Sequence, residues 1–280
     1  MQKRLQPKSF TVQQAFDISP NMRRVILTGE DIRHLPADSA GQYVKLLFTP
    51  AGSTDLSTLS EGQKPVLRTF TISEFDAKQG TLALDFVKHH HKDKSQRKDE
   101  HQHKGEITPE QGGYACHWAM HTQPGEQISL GGPNTIQGLA DDSDWVLIIG
   151  DMTALPSIQL KTARLAADSQ GYVVLALSSE QDLPALQLPS GVELITVVDG
   201  ERSGTALAEK VTQLRWPDGK PAIWCACEFS TMRAIRQHIS QQDQFDRKTC
   251  YISSYWKHGV TEDGHKVIKR EDQDSYHGEA

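Results

Sequence analysis

Trp145-Val-Leu-Ile-Ile-Gly150-Asp151-Met152-Thr153-Ala154-Leu155-Pro156 decides how the second half of this 280-residue chain folds. Residues 146–149 form an unbroken apolar run ended by a glycine, as expected of a strand buried on both faces. Residues 153–168 follow as a predicted helix. Thr153 is its expected N-cap, Pro156 falls in its first turn, and Leu155, Ile158, Ala163 and Ala166 supply most of one apolar side.

Working outward, residues 172–177, 192–198 and 222–227 read as further buried strands, and 205–214 and 231–241 as helices between or after them. This alternation predicts a doubly wound parallel sheet, which takes ligands at the carboxyl ends of its strands. Ser178-Ser179-Glu180 follows the second strand, where a nucleotide ribose is commonly read. Glu180 suits a 2′-hydroxyl, whereas the serines with a distant arginine tolerate a 2′-phosphate. Trp224-Cys225-Ala226-Cys227-Glu228 ends another strand. Cys225 and Cys227 are expected on opposite faces of it, and Arg233 and Arg236 taken singly read as solvent-exposed helix charge.

Residues 10–136 have a different texture, with short strands at 22–27, 43–48, 69–73 and 81–87 punctuated by Gly and Pro. Leu82, Leu84 and Phe86 alternate with Ala83, Asp85 and Val87, as on a strand with unlike faces. The expected architecture is an α+β two-domain chain. An antiparallel β-barrel occupies residues 1–140 and a doubly wound α/β domain 141–280, with the boundary in the small, acidic stretch 138–143. Residues 89–113 mix five histidines with Lys and Arg and almost no apolar side chain. They read as a solvated loop rather than a metal site, for they lack a defined ligand spacing. The polar tail 261–280 is expected to fray.

A formal charge of −6 argues against a general nucleic-acid or anionic-membrane partner. The apolar runs are too short to span a membrane, and Lys3 and Arg4 precede no apolar segment of a secretory signal. Cys116, Cys225, Cys227 and Cys250 form no CxxC pair and read as reduced thiols of a cytoplasmic protein. No assembly element is visible, so a monomer is expected.

Arg68-Thr69-Phe70-Thr71 carries a specific chemical suggestion. A flavin needs a stacking surface, hydrogen bonds to its polar edge and cations or N–H groups on its phosphates. On a strand, Arg68 and Phe70 share one face, offering a phosphate fork and a ring, while Thr71 can bond the flavin edge. Gly112-Gly113-Tyr114-Ala115-Cys116-His117-Trp118-Ala119 is a turn entering a short helix, whose N-terminus would attract pyrophosphate. Gly131-Gly132-Pro133-Asn134 is a second tight turn.

In this order, and with Val44-Lys45-Leu46, Asp85-Phe86-Val87 and Tyr255-Trp256-Lys257-His258-Gly259, these segments resemble the siderophore-interacting protein family. Its members are flavin-dependent ferric-siderophore reductases related to ferredoxin–NADP reductases. The resemblance runs across nearly the whole chain. It implies non-covalent FAD between a flavin-binding barrel and a nicotinamide-binding α/β domain, with NADH, NADPH or ferredoxin as donor and a ferric siderophore as substrate. Arg68, Thr69, Phe70 and Thr71 would hold the flavin, with Asp85, Val87 and His89 beside it and Ala115, Cys116, His117, Trp118 and Ala119 around its phosphates. Asp151, Thr153, Ala154, Glu228, Tyr255 and Trp256 would serve the nicotinamide side. Lys45 and Lys257 would attract the anionic chelate, with Arg247 or His117 as a third member. No catalytic side chain is implied beyond the flavin itself. Three departures from the family pattern stand out: Phe70 for Tyr, Met152 for Glu and Cys227 for Gly. The competing readings are a general flavin or ferredoxin reductase of the same fold, and a non-enzymatic iron or siderophore carrier.

Overall fold

The computed structural model describes residues 7–88, 113–199 and 204–278, and the chain divides into two compact units, Met1–Ile136 and Gln137–Ala280. The first is an antiparallel barrel of β1 (Lys8–Ser19), β2 (Met22–Thr28), β3 (Tyr43–Phe48), β4 (Val66–Asp76), β5 (Thr81–Val87) and β6 (Gln127–Asn134). The strands close in the order β1-β2-β5-β4-β3-β6, with β1 and β6 paired from Lys8 opposite Leu130 to Thr11 opposite Gln127. Closure leaves no sheet edge unpaired. Val12, Val25, Leu27, Leu46, Phe48, Ile72, Leu82, Leu84, Phe86 and Ile128 fill the interior, joined by Ala115, Trp118 and Ala119 of α1 (Tyr114–His121). Each large aliphatic side chain so buried contributes roughly 1.5–3 kcal/mol.

The alternation in β5 does not produce one wet face: every residue from Leu82 to Val87 is buried. Asp85 is accommodated because Arg24 grips its carboxylate through Nε (2.7 Å) and Nη2 (2.8 Å), and Arg24 also pairs with Glu74. The Asp85 carboxylate beside it, more than burial, sets the balance, so the guanidinium is held still more firmly protonated than usual.

In the second unit β7 (Trp145–Asp151), β8 (Gln170–Leu177), β9 (Gly191–Val198), β10 (Pro221–Glu228) and β11 (Cys250–Trp256) form a parallel sheet in the order β11-β10-β7-β8-β9. The chain winds from β7 to one edge and then restarts on the other side, so the topological switch lies between β7 and β10. Helices α2 (Leu155–Thr162), α3 (Thr205–Thr212), α4 (Phe229–Ile239) and α5 (Glu262–Gly278) complete it. Gly150 is demanded by close approach: a Cβ there would meet Ile158 Cδ1 at 2.6 Å, Ala154 Cβ at 2.9 Å and the Ala226 carbonyl oxygen at 3.1 Å.

Several expectations need correction. The helix after β7 ends at Thr162 rather than 168, because Ala163, Arg164, Ala166 and Asp168 are all exposed and give its second half nothing to bury. Its entry is organised by Asp151, not Thr153: the carboxylate accepts from Thr153 N and begins a short 3-10 turn. β9 is an edge strand, half exposed along its length, so it is not buried on both faces. Residues two apart on a strand share a face, and the Cys225 and Cys227 thiols lie 4.0 Å apart rather than pointing oppositely. The polar tail is helical. α5 buries His265, packs Ile268 against the core and gives Asp272 to both Nη atoms of Arg236 at 2.8 Å and to Arg233 Nε at 3.2 Å. The two arginines are thus paired within the unit.

Candidate functional site

On the barrel, the Arg68-Thr69-Phe70-Thr71 stretch lies in β4. Arg68 is buried, donates through Nη1 to the Leu67 carbonyl at 2.8 Å, and sets its guanidinium 5.0 Å from the centre of the Tyr114 ring. Phe70 lies 4.4 Å from Phe86, ring to ring. Phe86 meets Trp118 at 5.8 Å, Trp118 meets Phe48 at 6.4 Å, and Phe48 stacks on Tyr114 at 6.0 Å. One aromatic chain therefore joins Arg68 and Phe70 of β4 to the first turns of α1. Thr69 is exposed and Thr71 buried, so of the two hydroxyls only that of Thr69 is open to solvent.

Two observations fit FAD here. The Trp118 indole N–H is buried without an acceptor among the described residues, a deficit worth about 1–3 kcal/mol that an acceptor-bearing ligand would repair. No side chain caps α1, whose N-cap is Gly113 at φ 78°, so its first-turn N–H groups suit a phosphate. Ala115 and Ala119 are buried and can serve only through backbone. Cys116 donates its thiol towards the Val87 carbonyl at 3.6 Å, and the Asp85 carboxylate is already engaged by Arg24. His89 lies outside the described residues.

The second unit has a cleft of about 330 Å3 at the carboxyl ends of its strands, lined by Asp151, Met152, Ser178, Asp199, Gly204, Cys227, Glu228, Thr231 and Trp256 among others. Asp151 is its hub. Oδ1 accepts from Thr153 N (2.9 Å) and Thr153 Oγ1 (2.5 Å), and Oδ2 from Glu228 N (3.0 Å) and Trp256 Nε1 (2.7 Å), tying together the ends of β7, β10 and β11. Glu228 caps α4, accepting through Oε2 from Ser230 N (2.5 Å) and Thr231 N (3.0 Å), while Oε1 accepts from His258 N at 3.3 Å. Ala154 is fully buried behind this wall, and neither Thr153 nor Tyr255 lines the cleft.

Asp199, Gly204 and Thr231 escaped the sequence reading, although the end of a third parallel strand is where such a signal belongs. Asp199 Oδ2 accepts from Gly204 N at 2.7 Å, and the Thr231 hydroxyl is buried with no partner among the described residues. That orphaned hydroxyl, beside the polar wall, fits a nucleotide. Contact with the Cys225 thiol and burial push the Cys227 thiol well above its ordinary range, so it presents a neutral, weakly nucleophilic group.

The basic residues lie on different elements of their own units. Lys45 lies in β3 opposite Thr69 and Gly131. His117 stacks on His121. Lys257 Nζ sits 4.6 Å from the Phe229 ring just beyond β11, whereas Arg247 precedes that strand and faces the Tyr276 ring at 5.2 Å. Seven strand residues separate the last two, roughly 20 Å, so Arg247 and Lys257 do not form one grip on a small chelate. Among the described residues no three metal-ligating side chains converge.

Residues 11–137 match the siderophore-interacting FAD-binding domain, and residues 143–259 match the siderophore-interacting protein model. The ferric vibriobactin reductase of Vibrio cholerae is 29% identical over 259 residues, covering 89% of this chain and 88% of that one. An NADPH-dependent ferric-chelate reductase of Escherichia coli is 21% identical over 257 residues, covering 89% and 92%. Among solved structures, a siderophore-interacting protein from Aeromonas hydrophila superposes with TM-score 0.79 at 26% identity, covering 96% and 99%. The ferredoxin–NADP reductase of Plasmodium falciparum, at TM-score 0.58 and 11% identity over 89% and 96%, shares the fold.

Proposed function

Since the chain belongs to the siderophore-interacting protein family, we propose that it is a flavin-dependent ferric-siderophore reductase acting in the cytoplasm as a monomer. The observation that carries this reading is the family match across both units, an FAD-binding barrel followed by a parallel-sheet unit. Bound FAD supplies a carrier that accepts electrons as a hydride and yields them singly to iron. The chain's own residues bind and orient. Arg68 and the first turn of α1 receive phosphate, the Phe70 side of β4 receives the ring system, and the Trp118 N–H donates to a ligand acceptor. Lys45 and Lys257 supply positive charge for an anionic ferric chelate. Reduction weakens the hold of hard oxygen ligands on the metal, so the substrate opens without a general acid.

The donor proposed is NADH. Asp151, Asp199 and Glu228 line the cleft, and no Lys or Arg does among the described residues, an environment that disfavours the extra charge of a 2′-phosphate. The Escherichia coli relative is named for NADPH, so the two donors need direct comparison. NADH should bind at least about tenfold more tightly, some 1.4 kcal/mol.

The test is an anaerobic visible spectrum of the untagged protein, read before and after NADH and again after a ferric hydroxamate with a ferrous trap. Bleaching by NADH, and recovery as trapped Fe(II) appears, are expected. Flavin that NADPH or reduced ferredoxin bleaches while NADH does not would overturn the donor assignment. Absence of flavin, even after FAD is added, would overturn the reductase reading. The double variant Lys45→Gln/Lys257→Gln should raise KM for an anionic chelate more than for a neutral one. Equal effects would remove those lysines from the substrate site.

A further inference from the structure

Lys161 stands in the last turn of α2, and its amine has an uncommon setting. Nζ lies 4.8 Å from the centre of the Trp224 ring, which is fully buried in β10. The hydrogen bond it donates goes to a neutral acceptor, the Gln137 carbonyl at 3.4 Å, which also accepts from Trp224 Nε1 at 3.2 Å. Among the described residues no carboxylate pairs with it, and the charge that acts on it is that of Arg164, of like sign. Burial first, and then Arg164, pull the Lys161 pKa down to about 8. A tryptophan face attracts a cation by about 0.5–1 kcal/mol at a site open to water. That is less than a tenfold effect, so the ring does not restore an ordinary lysine. The side chain is half-buried and Gln137 exposed, so the amine stays within reach of solutes.

Other lysines are placed differently. Lys8, Lys88, Lys220 and Lys266 pair with carboxylates at 2.6 to 3.0 Å. Lys269 donates to Ser253 Oγ at 2.6 Å and to the Ser254 carbonyl at 3.1 Å, joining α5 to β11. Acylating any of these breaks an ion pair or a seam between elements. Acylating Lys161 breaks neither, because the amide product retains an N–H for the Gln137 carbonyl. We propose that Lys161 is an acylation site, a nucleophilic amine that takes an activated acyl group from an acyl phosphate or an acyl thioester. Neutral Nζ attacks the acyl carbonyl carbon. A C–N bond forms, and the C–O bond to phosphate, or the C–S bond to the thiol, breaks. The leaving group keeps the electron pair, and Nζ gives up one proton to solvent. Nothing is oxidised or reduced, and the site does not depend on the reductase reading.

The experiment treats the full-length, FAD-containing protein with acetyl phosphate at pH 7.5 and, in a second arm, with an acetyl thioester. Peptide mass spectrometry then follows the acetyl group at each lysine. At that pH about a quarter of an amine titrating near 8 is neutral, against about one in a thousand for an ordinary lysine. The less basic amine is also the weaker nucleophile, so the expected advantage over Lys220 is about tenfold or more rather than the full ratio. Lys220 is the internal reference, since its bond to Asp142 raises its pKa. The Lys161 rate should climb to about pH 8 and level off, whereas the Lys220 rate should still be climbing at pH 9. Arg164→Gln, at an exposed position, should slow Lys161 by roughly twofold at pH 7.5 and move its plateau to higher pH. In urea the preference should vanish, because the fold creates it. Lys161 acetylated no faster than Lys220 in both arms, or a preference that survives in urea, would overturn the site. Preference in one arm alone supports the site and names its donor.

Discussion

Replacing Asp151 tests whether this carboxylate is first a structural tie or first a ligand contact. It accepts four hydrogen bonds, from Thr153 N, Thr153 Oγ1, Glu228 N and Trp256 Nε1. Asp151→Ala leaves the Thr153 turn able to find water, but strands the Glu228 N–H and the Trp256 indole N–H at the junction of β7, β10 and β11. Each stranded donor costs about 1–3 kcal/mol. With partial solvent access discounted, the loss should be about 2–4 kcal/mol in the second unit. For a unit of this size that corresponds to a fall of roughly 5–15 °C in its midpoint. Asp151→Asn keeps one acceptor and turns an NH2 towards the other donor pair, so it should lose less than Ala but not be neutral. Calorimetry of the FAD-containing protein, with and without NADH, reads both quantities. A loss under 1 kcal/mol for Asp151→Ala would refute the bonding argument. A normal midpoint with abolished NADH binding would make Asp151 a direct ligand.

Other perturbations test neighbouring parts of the argument. Gly204→Ala puts a Cβ into the Thr231 hydroxyl at φ +75°. It should therefore cost about 1–3 kcal/mol and weaken NADH binding; wild-type urea midpoint and affinity would contradict the packing. Trp118→Phe removes the orphaned N–H while preserving most ring contacts, so FAD should dissociate roughly five- to tenfold more readily for one lost hydrogen bond. Unchanged flavin retention on ultrafiltration would show that Trp118 does not donate to it. Burial first, and then the Lys269 charge, lower the His265 pKa below its ordinary 6.5; Lys257 acts in the same sense, against Glu262 and Glu228. The unfolded chain therefore takes that proton first. Stability of the second unit should be level above pH 6.5 and fall as pH drops below it, until folded His265 itself titrates. His265→Gln should flatten that slope in urea unfolding between pH 7 and 5, and an unaltered slope would contradict the assignment.

The sheet was legible because residues 146–149 and 222–227 are apolar without alternation, a pattern that a strand covered on both faces requires. β9 misled because Val192, Leu194, Ile195, Val197 and Val198 are equally apolar, and sequence does not say which strand ends the sheet. The C-terminal helix was missed for the opposite reason. Its buried face is made of His265, Ile268 and Asp272, and two of these count as polar until Ser254 and Arg236 supply their partners. Asp85 was implied as a flavin neighbour by the family resemblance, and nothing in the sequence pointed to Arg24, which holds its carboxylate across the β2–β5 pairing. In the cleft, Asp151 and Glu228 were visible as strand-end acids. Their use in tying strands and capping a helix was not, since it depends on backbone N–H groups that no sequence pattern names.

Met152 and Cys227 change what that cleft can hold. The family pattern puts a charge at the first position and no side chain at the second. Here the Met152 thioether is buried and accepts from Ser178 N at 3.2 Å, fastening the end of β7 to the end of β8. The Cys227 thiol fills the space a glycine would leave. Both changes replace a polar or open mouth by neutral, tightly packed sulfur on the wall of the cleft. Cys227→Gly should therefore enlarge the cleft and tighten NADH binding, even as loss of the buried side chain lowers stability by about 1–3 kcal/mol. Affinity and stability falling together would mean that the thiol shapes the site rather than crowds it.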